Sequence, residues 1–325
     1  MATTGMHQGS IAIVGAAETE RIGVVPDVSM IHLHTNAARR AIADAGIEMS
    51  EIDGVATAGP SAIELADMLG IRPRWADGTM IGGCSFMALV RHACAAIASG
   101  AANVVLVTHG ESGRSGVGRA NNVRPATSMG GQFEAPYGAL APYASFTTPV
   151  LAFMKSRGFT REDLAEVVVS QRLWAMPNER AQRRDPIDVE GVLSARPIAY
   201  PFTRDMCCVV TDAGGALVLM SAERARDLPG GDRAVYILGS GEGTESAIVS
   251  QMDDLESFGP FRRGAKEAFE TAGVTHDDID HVMFYDAFAH LPLYMLEDTG
   301  FVGKGESAAF YKEGHTRPVG QLPIN

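Results

Sequence analysis

The sequence is poor in basic residues. Its 27 Lys and Arg residues stand against 39 Asp and Glu residues, which gives a formal net charge of −12 at pH 7. A protein face that binds nucleic acid needs clustered Lys and Arg to neutralise the phosphates. The charge balance therefore argues against a nucleic-acid-binding protein.

Cysteines are few, and long apolar runs are absent. The 325 residues include 4 Cys, none in a C-x-x-C pair, so the sequence indicates neither a disulfide framework nor a metal site. No apolar run reaches the roughly 18 residues that a membrane span needs, and residues 1–10 lack the features of a secretory signal. We expect a cytoplasmic protein without a membrane span.

What is present is an alternation of short apolar runs with helical stretches. Five runs predict strands, at residues 10–15, 53–58, 103–108, 216–221 and 235–239. The run at 103–108 (NVVLVT) is continuous and β-branched, which is typical of a strand buried on both faces. A helix is predicted at 84–99, behind a glycine pair. The pattern predicts an α/β protein with parallel strands.

The sequence also matches itself. Residues 40–55 (RAIADAGIEMSEIDGV) align without gaps to residues 267–282 (EAFETAGVTHDDIDHV). Each stretch predicts a helix that ends at a glycine able to adopt the left-handed conformation, Gly46 or Gly273, and a turn that leads into a strand. Because each stretch also follows its own predicted strand, the match indicates a duplicated unit.

A long segment, residues 111–202, separates the two matching regions. It has few strand signals, contains several prolines, and predicts helices at 151–158 and 161–174. Loop regions of this size usually bind a ligand or cover a binding site. Ligand binding and a dimer or lid role are equally compatible with the segment.

Four motifs carry a family resemblance. They are PYG at 136–138, the stretch from SARPIAYPF to SAERAR at 194–226, FYDAFAHLPLYMLEDTGFVGKGE at 284–306 and GHTRPVGQLPIN at 314–325. In these motifs and their order the chain resembles the thiolase superfamily, and specifically its sterol-carrier-protein-x and lipid-transfer-protein branch.

The resemblance implies the thiolase fold, in which two duplicated βαβαβ halves form a layered α/β/α/β/α core with an inserted loop region. We expect an N-terminal half at residues 1–230, with the loop insertion at about 111–205. The C-terminal half is expected at residues 231–325. Thiolases continue past a PIN or PVN tripeptide into a glycine-rich stretch, so this half is expected to lack its final segment.

Thiolases use a cysteine at the N-terminus of the helix that follows the glycine pair. There the positive end of the helix lowers the thiol pKa. An ungapped alignment places this nucleophile on Gly83, so Cys84 comes one residue late and points about 100° away. Cys84 is therefore either a small buried residue or, with a remodelled turn, the nucleophile. The resemblance implies that backbone N–H groups from Gly83 to Ser85 hold a thioester or enolate oxygen.

After the shifted cysteine, a second departure from the family pattern lies at residues 285–288, which read YDAF where the branch has a stretch like HDCF. With the altered cysteine motif, this resembles the retro-aldolase members, which cleave β-hydroxyacyl-CoA thioesters with steroid-type side chains. Such a cleavage needs proton transfer and an oxyanion site, and no thiol nucleophile. Tyr285 would transfer a proton, and Asp286 would hold the helix start or the tyrosine. The alternative is a tyrosine whose hydroxyl is satisfied in the core.

Two histidines are candidate substrate contacts. His109 follows the strand predicted at 103–108, at the carboxyl end where α/β proteins bind ligands. His290 shares a predicted helix face with Asp286, although such a face is ordinarily packed or partly exposed. His34 has no carboxylate at metal-ligand spacing and is expected at the surface.

The favoured function is retro-aldol cleavage of a β-hydroxyacyl-CoA with a lipid or steroid side chain. Two alternatives stay open: an acetyl-CoA acyltransferase that uses Cys84, and a non-catalytic acyl-CoA-binding or scaffold subunit. No tightly bound cofactor is expected, because the coenzyme A thioester is the substrate. The resemblance further implies a homodimer and a small OB-fold partner protein that carries a zinc ribbon.

Overall fold

The computed structural model describes residues 8–118 and 125–325, which fall into two compact units. Unit 1 comprises Met1–Ala120 as far as described, Val210–Ser240 and Ala268–Gly273. Unit 2 comprises Asn121–Val209 as far as described, Gly241–Glu267 and Val274–Asn325. The units group the loop segment with C-terminal residues, and the division into halves at residue 230 stays a prediction.

Strands and helices alternate along most of the described chain. The strands are β1 (Ile11–Glu18), β2 (Gly54–Thr57), β3 (Trp75–Asp77), β4 (Val104–Ser112), β5 (Pro197–Ala199), β6 (Phe202–Thr203), β7 (Asp212–Ser221) and β8 (Val235–Ile237). The α-helices are α1 (Met30–Ala45), α2 (Ala62–Leu69), α3 (Ser85–Ala98), α4 (Met129–Phe133), α5 (Pro142–Ser145), α6 (Thr147–Arg157), α7 (Arg161–Ala175), α8 (Val189–Ser194), α9 (Ala222–Arg226), α10 (Gly259–Ala272), α11 (Leu291–Asp298) and α12 (Ser307–Lys312). No described helix has the length and apolar character needed to cross a membrane.

Unit 1 is built on a six-stranded sheet with the order β3-β2-β4-β7-β1-β8. β2 is parallel to β3 and β4, whereas β7 is antiparallel to both β4 and β1. Strands β1 to β4 therefore point the same way, as predicted. The expectation of parallel strands is wrong for β7, which inserts between β4 and β1, and for β8, which is antiparallel to β1.

The central strands of this sheet are covered on both faces. Alternate residues of β4 point to opposite sides: Val104 and Leu106 pack with residues of α1 and α2, whereas Val105 and Val107 pack with residues of α3. A strand buried on both faces needs apolar side chains at every position. This explains the continuous apolar run. Cys94 of α3 lies fully in this core, and burial raises the pKa of its thiol to about 11.

The two matching stretches adopt the same local structure. Gly46 and Gly273 end α1 and α10 in the left-handed conformation, with φ of +67° and +66°. Each copy has a glycine against its helix, Gly15 within β1 and Gly239 two residues after β8: a Cβ on Gly15 would overlap the Ala41 carbonyl oxygen, and one on Gly239 would overlap that of Ala268. Ala41 and Ala268 occupy equivalent positions of the two stretches. The two matching stretches therefore form the same close contact between a glycine and the helix that follows it.

One buried carboxylate joins three parts of unit 1. The Asp212 side chain accepts hydrogen bonds from the backbone N–H groups of Val25 (2.7 Å), Arg114 (2.8 Å) and Ser115 (2.9 Å), and from the Ser115 hydroxyl (2.5 Å). Loss of solvation opposes its ionisation, but the hydrogen bonds outweigh this effect and hold the pKa of Asp212 below its usual range. The chain segments that follow β1 and β4 are thereby fixed to β7.

Unit 2 is mainly helical. Its core contains large side chains from α6, α7, α11 and α12, together with residues around the β5–β6 hairpin. The largest fully buried ones are Phe153, Leu164, Phe202, Met206, Leu293, Leu296 and Tyr311. At the end of the chain, Val282 pairs with Ile324 through an isolated parallel bridge. Residues 282–284 are therefore held beside residues 323–325 without forming a regular strand.

We predict that Gly15→Ala and Gly239→Ala each lower the free energy of unfolding by about 1–3 kcal/mol, because the added methyl group overlaps a helix backbone. Urea denaturation measures the change. Gly215→Ala is the matched control, since the nearest atom to its Cβ is the Ala17 carbonyl oxygen at 3.9 Å. An unchanged unfolding midpoint in Gly239→Ala would show that the second contact is not required.

Candidate active site

The YDAF stretch lies in an irregular segment that precedes α11. The Cys208 N–H donates to the Ala287 carbonyl (2.9 Å), and the Ala289 N–H donates to the Met206 carbonyl (2.9 Å). Between these bonds Phe288 is buried in the core of unit 2. Backbone pairing and this anchor together fix the position of Tyr285 and Asp286.

Tyr285 is 41% exposed. A tyrosine that only fills the core is expected to be buried, as Tyr294 is, with its hydroxyl 2.8 Å from the Pro149 carbonyl. The interpretation of Tyr285 as a core residue is therefore wrong. Its role in proton transfer stays a prediction.

Asp286 does not hold the start of the following helix. α11 begins at Leu291, with His290 as its N-cap, because Pro292 is tolerated only in the first turn. The Asp286 carboxylate instead accepts a hydrogen bond from the Gln171 side-chain amide of α7, with Nε2 and Oδ2 2.8 Å apart. Asp286 keeps accessible surface, yet the surrounding protein reduces its solvation and raises the pKa of its carboxyl.

Two further ionisable groups respond to this carboxylate. Loss of solvation, and secondly the charge of Asp286, raise the pKa of the Cys208 thiol. The same two causes raise the pKa of the Tyr311 phenol of α12. In the described part of the chain no ion pair links Asp286 to a basic side chain. The carboxylate thus lies beside neutral groups, where it is less stable than in water.

His290 is enclosed by aromatic rings. Its ring centroid lies 5.5 Å from Phe146, 5.4 Å from Phe202, 6.0 Å from Phe288 and 5.7 Å from Tyr294. Only 2% of its surface is exposed, and its Nδ1 has no hydrogen-bond partner among the described residues. Burial lowers the pKa of His290 to about 3, so the ring is neutral. The expected helix face shared with Asp286 does not exist, because α11 begins at Leu291 and Asp286 lies before it. The substrate-binding role of His290 stays a prediction.

The turn before α3 is held by Ser85. Its buried hydroxyl donates to the Gly82 carbonyl (2.5 Å) and accepts from the Ile81 N–H (2.8 Å), while its own N–H donates to Gly82 (3.1 Å). Gly82 makes this turn possible with φ of +96°. Ser85 is thereby engaged within the turn, and Gly83, which is exposed, is the better candidate for an oxyanion donor.

Cys84 is exposed and takes the N-cap position of α3. Its interpretation as a small buried residue is therefore wrong. The positive end of the dipole of a 14-residue helix favours a negative charge at this position. The position suits a nucleophile, and this role also stays a prediction.

His109 lies within β4 and not after it, because the strand continues to Ser112 and pairs His109 with Gly215. The imidazole ring lies 5.4 Å from the ring of Phe86, in the first turn of α3. Burial lowers the pKa of His109, and Glu111 partly opposes this. Its Nδ1 has no hydrogen-bond partner in the parts of the chain described, so a ligand contact stays a prediction.

His34, expected at the surface, is fully buried. Its Nε2 lies 3.1 Å from the Gly110 carbonyl, which only accepts, so Nε2 carries the proton and Nδ1 accepts from Thr108 (2.9 Å). Burial, and then the neighbouring His109, lower the pKa of His34 to about 4. A Cβ on Gly110 would overlap the His34 ring. The glycine within an otherwise β-branched strand was the available signal.

The described residues contain no group of three or more His, Cys, Asp or Glu side chains that could hold a metal ion. The predicted site residues divide between the units. Gly83, Cys84, Ser85 and His109 belong to unit 1, whereas Tyr285, Asp286 and His290 belong to unit 2. Gln171 and Cys208, which also belong to unit 2, were not among the predicted site residues.

Comparison with known proteins identifies relatives along almost the whole chain. Residues 241–325 match the family described as thiolase C-terminal domain-like. The chain is 31% identical to 17-hydroxy-3-oxo-4-pregnene-20-carboxyl-CoA lyase of Mycobacterium tuberculosis, with 98% of this chain and 86% of the relative covered. It is 32% identical to a steroid side-chain-cleaving aldolase of Thermomonospora curvata, with 98% and 84% covered.

A solved structure of a similar protein has the same fold as this chain. The structure of an Ltp2-ChsH2(DUF35) aldolase superposes with a TM-score of 0.90 at 30% identity, covering 98% of this chain and 84% of that one. The predicted fold class is thereby confirmed.

We predict that His290→Phe reduces acid sensitivity. The unfolded histidine titrates near pH 6.5 and the folded one near 3, so the unfolded state binds more protons between these values. In that window His290 costs about 1.4 kcal/mol of stability per pH unit as the pH falls. Phenylalanine removes this dependence.

Urea unfolding at pH 4, 5, 6 and 7 measures the slope. Phe146→Leu, which alters the same aromatic cluster without removing a titratable group, is the control and should keep the wild-type slope. Parallel curves for wild type and His290→Phe would contradict the prediction.

Proposed function

Because this chain belongs to the thiolase superfamily, in its sterol-carrier-protein-x and lipid-transfer-protein branch, we propose that it cleaves β-hydroxyacyl-CoA thioesters by a retro-aldol reaction. The observation that carries the proposal is the exposed Tyr285 next to Asp286, whose carboxyl has a raised pKa. The names of the two relatives support a substrate with a steroid-type side chain.

The reaction requires two proton transfers. The β-hydroxyl group loses its proton, and the bond between the α and β carbons breaks. The β carbon becomes the carbonyl of an aldehyde or ketone, and the other fragment leaves as a thioester enolate. Protonation of the enolate gives a shorter acyl-CoA. The proton that is removed equals the one that is returned, so neither water nor free coenzyme A is consumed.

Tyr285 and Asp286 are the groups to which we assign these transfers. A raised pKa lies closer to neutral pH, and a group transfers protons most effectively when its pKa is near the pH at which the enzyme works. Asp286 then accepts the hydroxyl proton, Tyr285 donates a proton to the enolate, and transfer of the proton from Asp286 to the Tyr285 phenolate restores both groups.

We further propose a homodimer that works with a small protein partner. The name of the similar structure joins Ltp2 to ChsH2(DUF35), which supports the expectation of such a partner. The substrate itself supplies coenzyme A, and no tightly bound cofactor is proposed.

Tyr285→Phe is predicted to lower kcat for a β-hydroxyacyl-CoA at least about 100-fold, because it removes the phenolic proton. Mass spectrometry should detect an aldehyde or ketone and a shorter acyl-CoA without added coenzyme A. Tyr236→Phe in β8 is the control and should keep wild-type turnover, with both variants folded by circular dichroism. Retained activity in Tyr285→Phe would exclude the assigned role.

A second candidate function is acyl transfer through Cys84, favoured by its exposed N-cap position. Under the retro-aldol proposal, incubation with a β-ketoacyl-CoA leaves Cys84 unmodified, and Cys84→Ala keeps its cleavage of the hydroxy substrate within about threefold. Peptide mapping by mass spectrometry checks the first expectation. A covalent acyl group on Cys84, with cleavage that requires coenzyme A, would establish the acyltransferase instead. Binding of both thioesters without turnover would indicate a non-catalytic subunit.

A further inference from the structure

Gln171 lies on a well-anchored part of α7. One residue before it, the Ser170 hydroxyl lies 2.8 Å from the Thr316 hydroxyl, and three residues after it the Trp174 indole N–H donates to the Thr316 carbonyl (3.2 Å). Leu164 and Val167 of the same helix are fully buried. The backbone of Gln171 is therefore fixed from both sides.

Asp286 is fixed independently, by the backbone pairing of residues 206–208 with residues 287–289. The hydrogen bond between Gln171 Nε2 and Asp286 Oδ2 thus joins two groups that the fold holds at 2.8 Å before any ligand binds. The two residues are 115 positions apart in sequence. Such a contact requires the tertiary structure of unit 2.

We propose that Gln171 is a positioning residue for the Asp286 carboxyl, holding one carboxylate oxygen and stabilising the ionised form. This inference rests on the proposed function insofar as Asp286 takes part in proton transfer. A side-chain amide donates a hydrogen bond without neutralising the charge of the acceptor. It therefore orients the carboxylate while leaving it basic enough to accept a proton.

Two donors stabilise the Asp286 carboxylate, the Gln171 amide of α7 and the backbone N–H of Asp286 itself. The Cys208 thiol of the neighbouring segment and the Tyr311 phenol of α12 respond to its charge. The thiol and phenol are held protonated by burial and by the carboxylate itself. Gln171 is the side chain in hydrogen-bond contact with the carboxylate among the described residues.

Substitutions at Gln171 should move the titration of Asp286 in opposite directions. Gln171→Leu removes the donor, so the ionised form is less stable and the pKa of Asp286 rises by about one unit. Gln171→Glu adds a negative charge and also raises it. Gln171→Lys adds a positive charge and lowers it by about one unit or more. A purely structural role of Gln171 would leave the pKa of Asp286 unchanged in Gln171→Leu, while Gln171→Lys shows that a charge at this position reaches the carboxylate.

Carbon-13 NMR of protein labelled at the Asp side-chain carboxyl measures this titration directly, with Asp286→Asn identifying the signal. Gln251→Leu is the matched control, because that amide bonds only to the neighbouring Ser250 carbonyl, and it should leave the titration unchanged. The acid limb of kcat/KM for a β-hydroxyacyl-CoA should move with the NMR value. If the lysine variant does not fold, a larger rise in Gln171→Glu than in Gln171→Leu provides the charge test, because the glutamate loses the donor and adds a negative charge.

An unchanged Asp286 titration in the Gln171 variants, or a shift of the same sign for lysine and leucine, would overturn the inference. The NMR result does not depend on turnover. If the Asp286 titration shifts as expected but the protein has no retro-aldol activity, the proposed function is rejected and the effect of Gln171 on Asp286 still holds. If the enzyme is active but the acid limb of its kcat/KM profile is the same in wild type and in the Gln171 variants, the positioning role is rejected.

Discussion

The hydrogen bonds to Asp212 are the interaction on which the end of the unit 1 sheet where β1 and β4 finish depends. A single carboxylate at the start of β7 satisfies donors from the segments that follow β1 and β4. Separation of either segment would leave buried N–H groups and a buried charge unpaired, which costs far more than the bonds contribute when made. The position of β7 between β4 and β1 is thus stabilised at one end by the hydrogen bonds to the Asp212 carboxylate. Along its length it is stabilised by backbone hydrogen bonds to both neighbouring strands.

Asp286 is placed in the opposite environment. Asp212 accepts four hydrogen bonds, which hold its pKa below the usual range, whereas loss of solvation raises the pKa of Asp286 despite the hydrogen bond from the neutral Gln171 amide. Hydrogen bonds prevail at the first carboxylate and loss of solvation prevails at the second. The first is suited to structure, and the second is suited to proton exchange. This difference separates a catalytic candidate from the other acidic residues of an acidic protein.

Much of the fold could be predicted from the sequence because its signals are local. The apolar run of β4, the glycines that end α1 and α10, and the helix after the glycine pair all depend on neighbouring residues. The site could be predicted only in part. Tyr285 and Cys84 were found through motif departures, but their exposure depends on tertiary packing.

Long-range features had no sequence signal of comparable strength. The insertion of β7 joins strands separated by about a hundred residues, and the burial of His34 arises because Gly110 leaves room for its ring. The Gln171–Asp286 bond likewise needs a complete unit 2. Sequence periodicity describes which face of an element is apolar, and it does not identify which polar groups of distant elements meet.

The adjacent cysteines beside the YDAF segment have a consequence for the chemical durability of the protein. Burial raises the pKa of the Cys207 thiol to about 11, and burial together with the Asp286 charge raises that of Cys208. Oxidants and alkylating reagents attack the thiolate, which is then a small fraction of either residue at neutral pH. The negative charge of Asp286 therefore also slows oxidation of the neighbouring Cys208 sulfur, by keeping its thiol protonated.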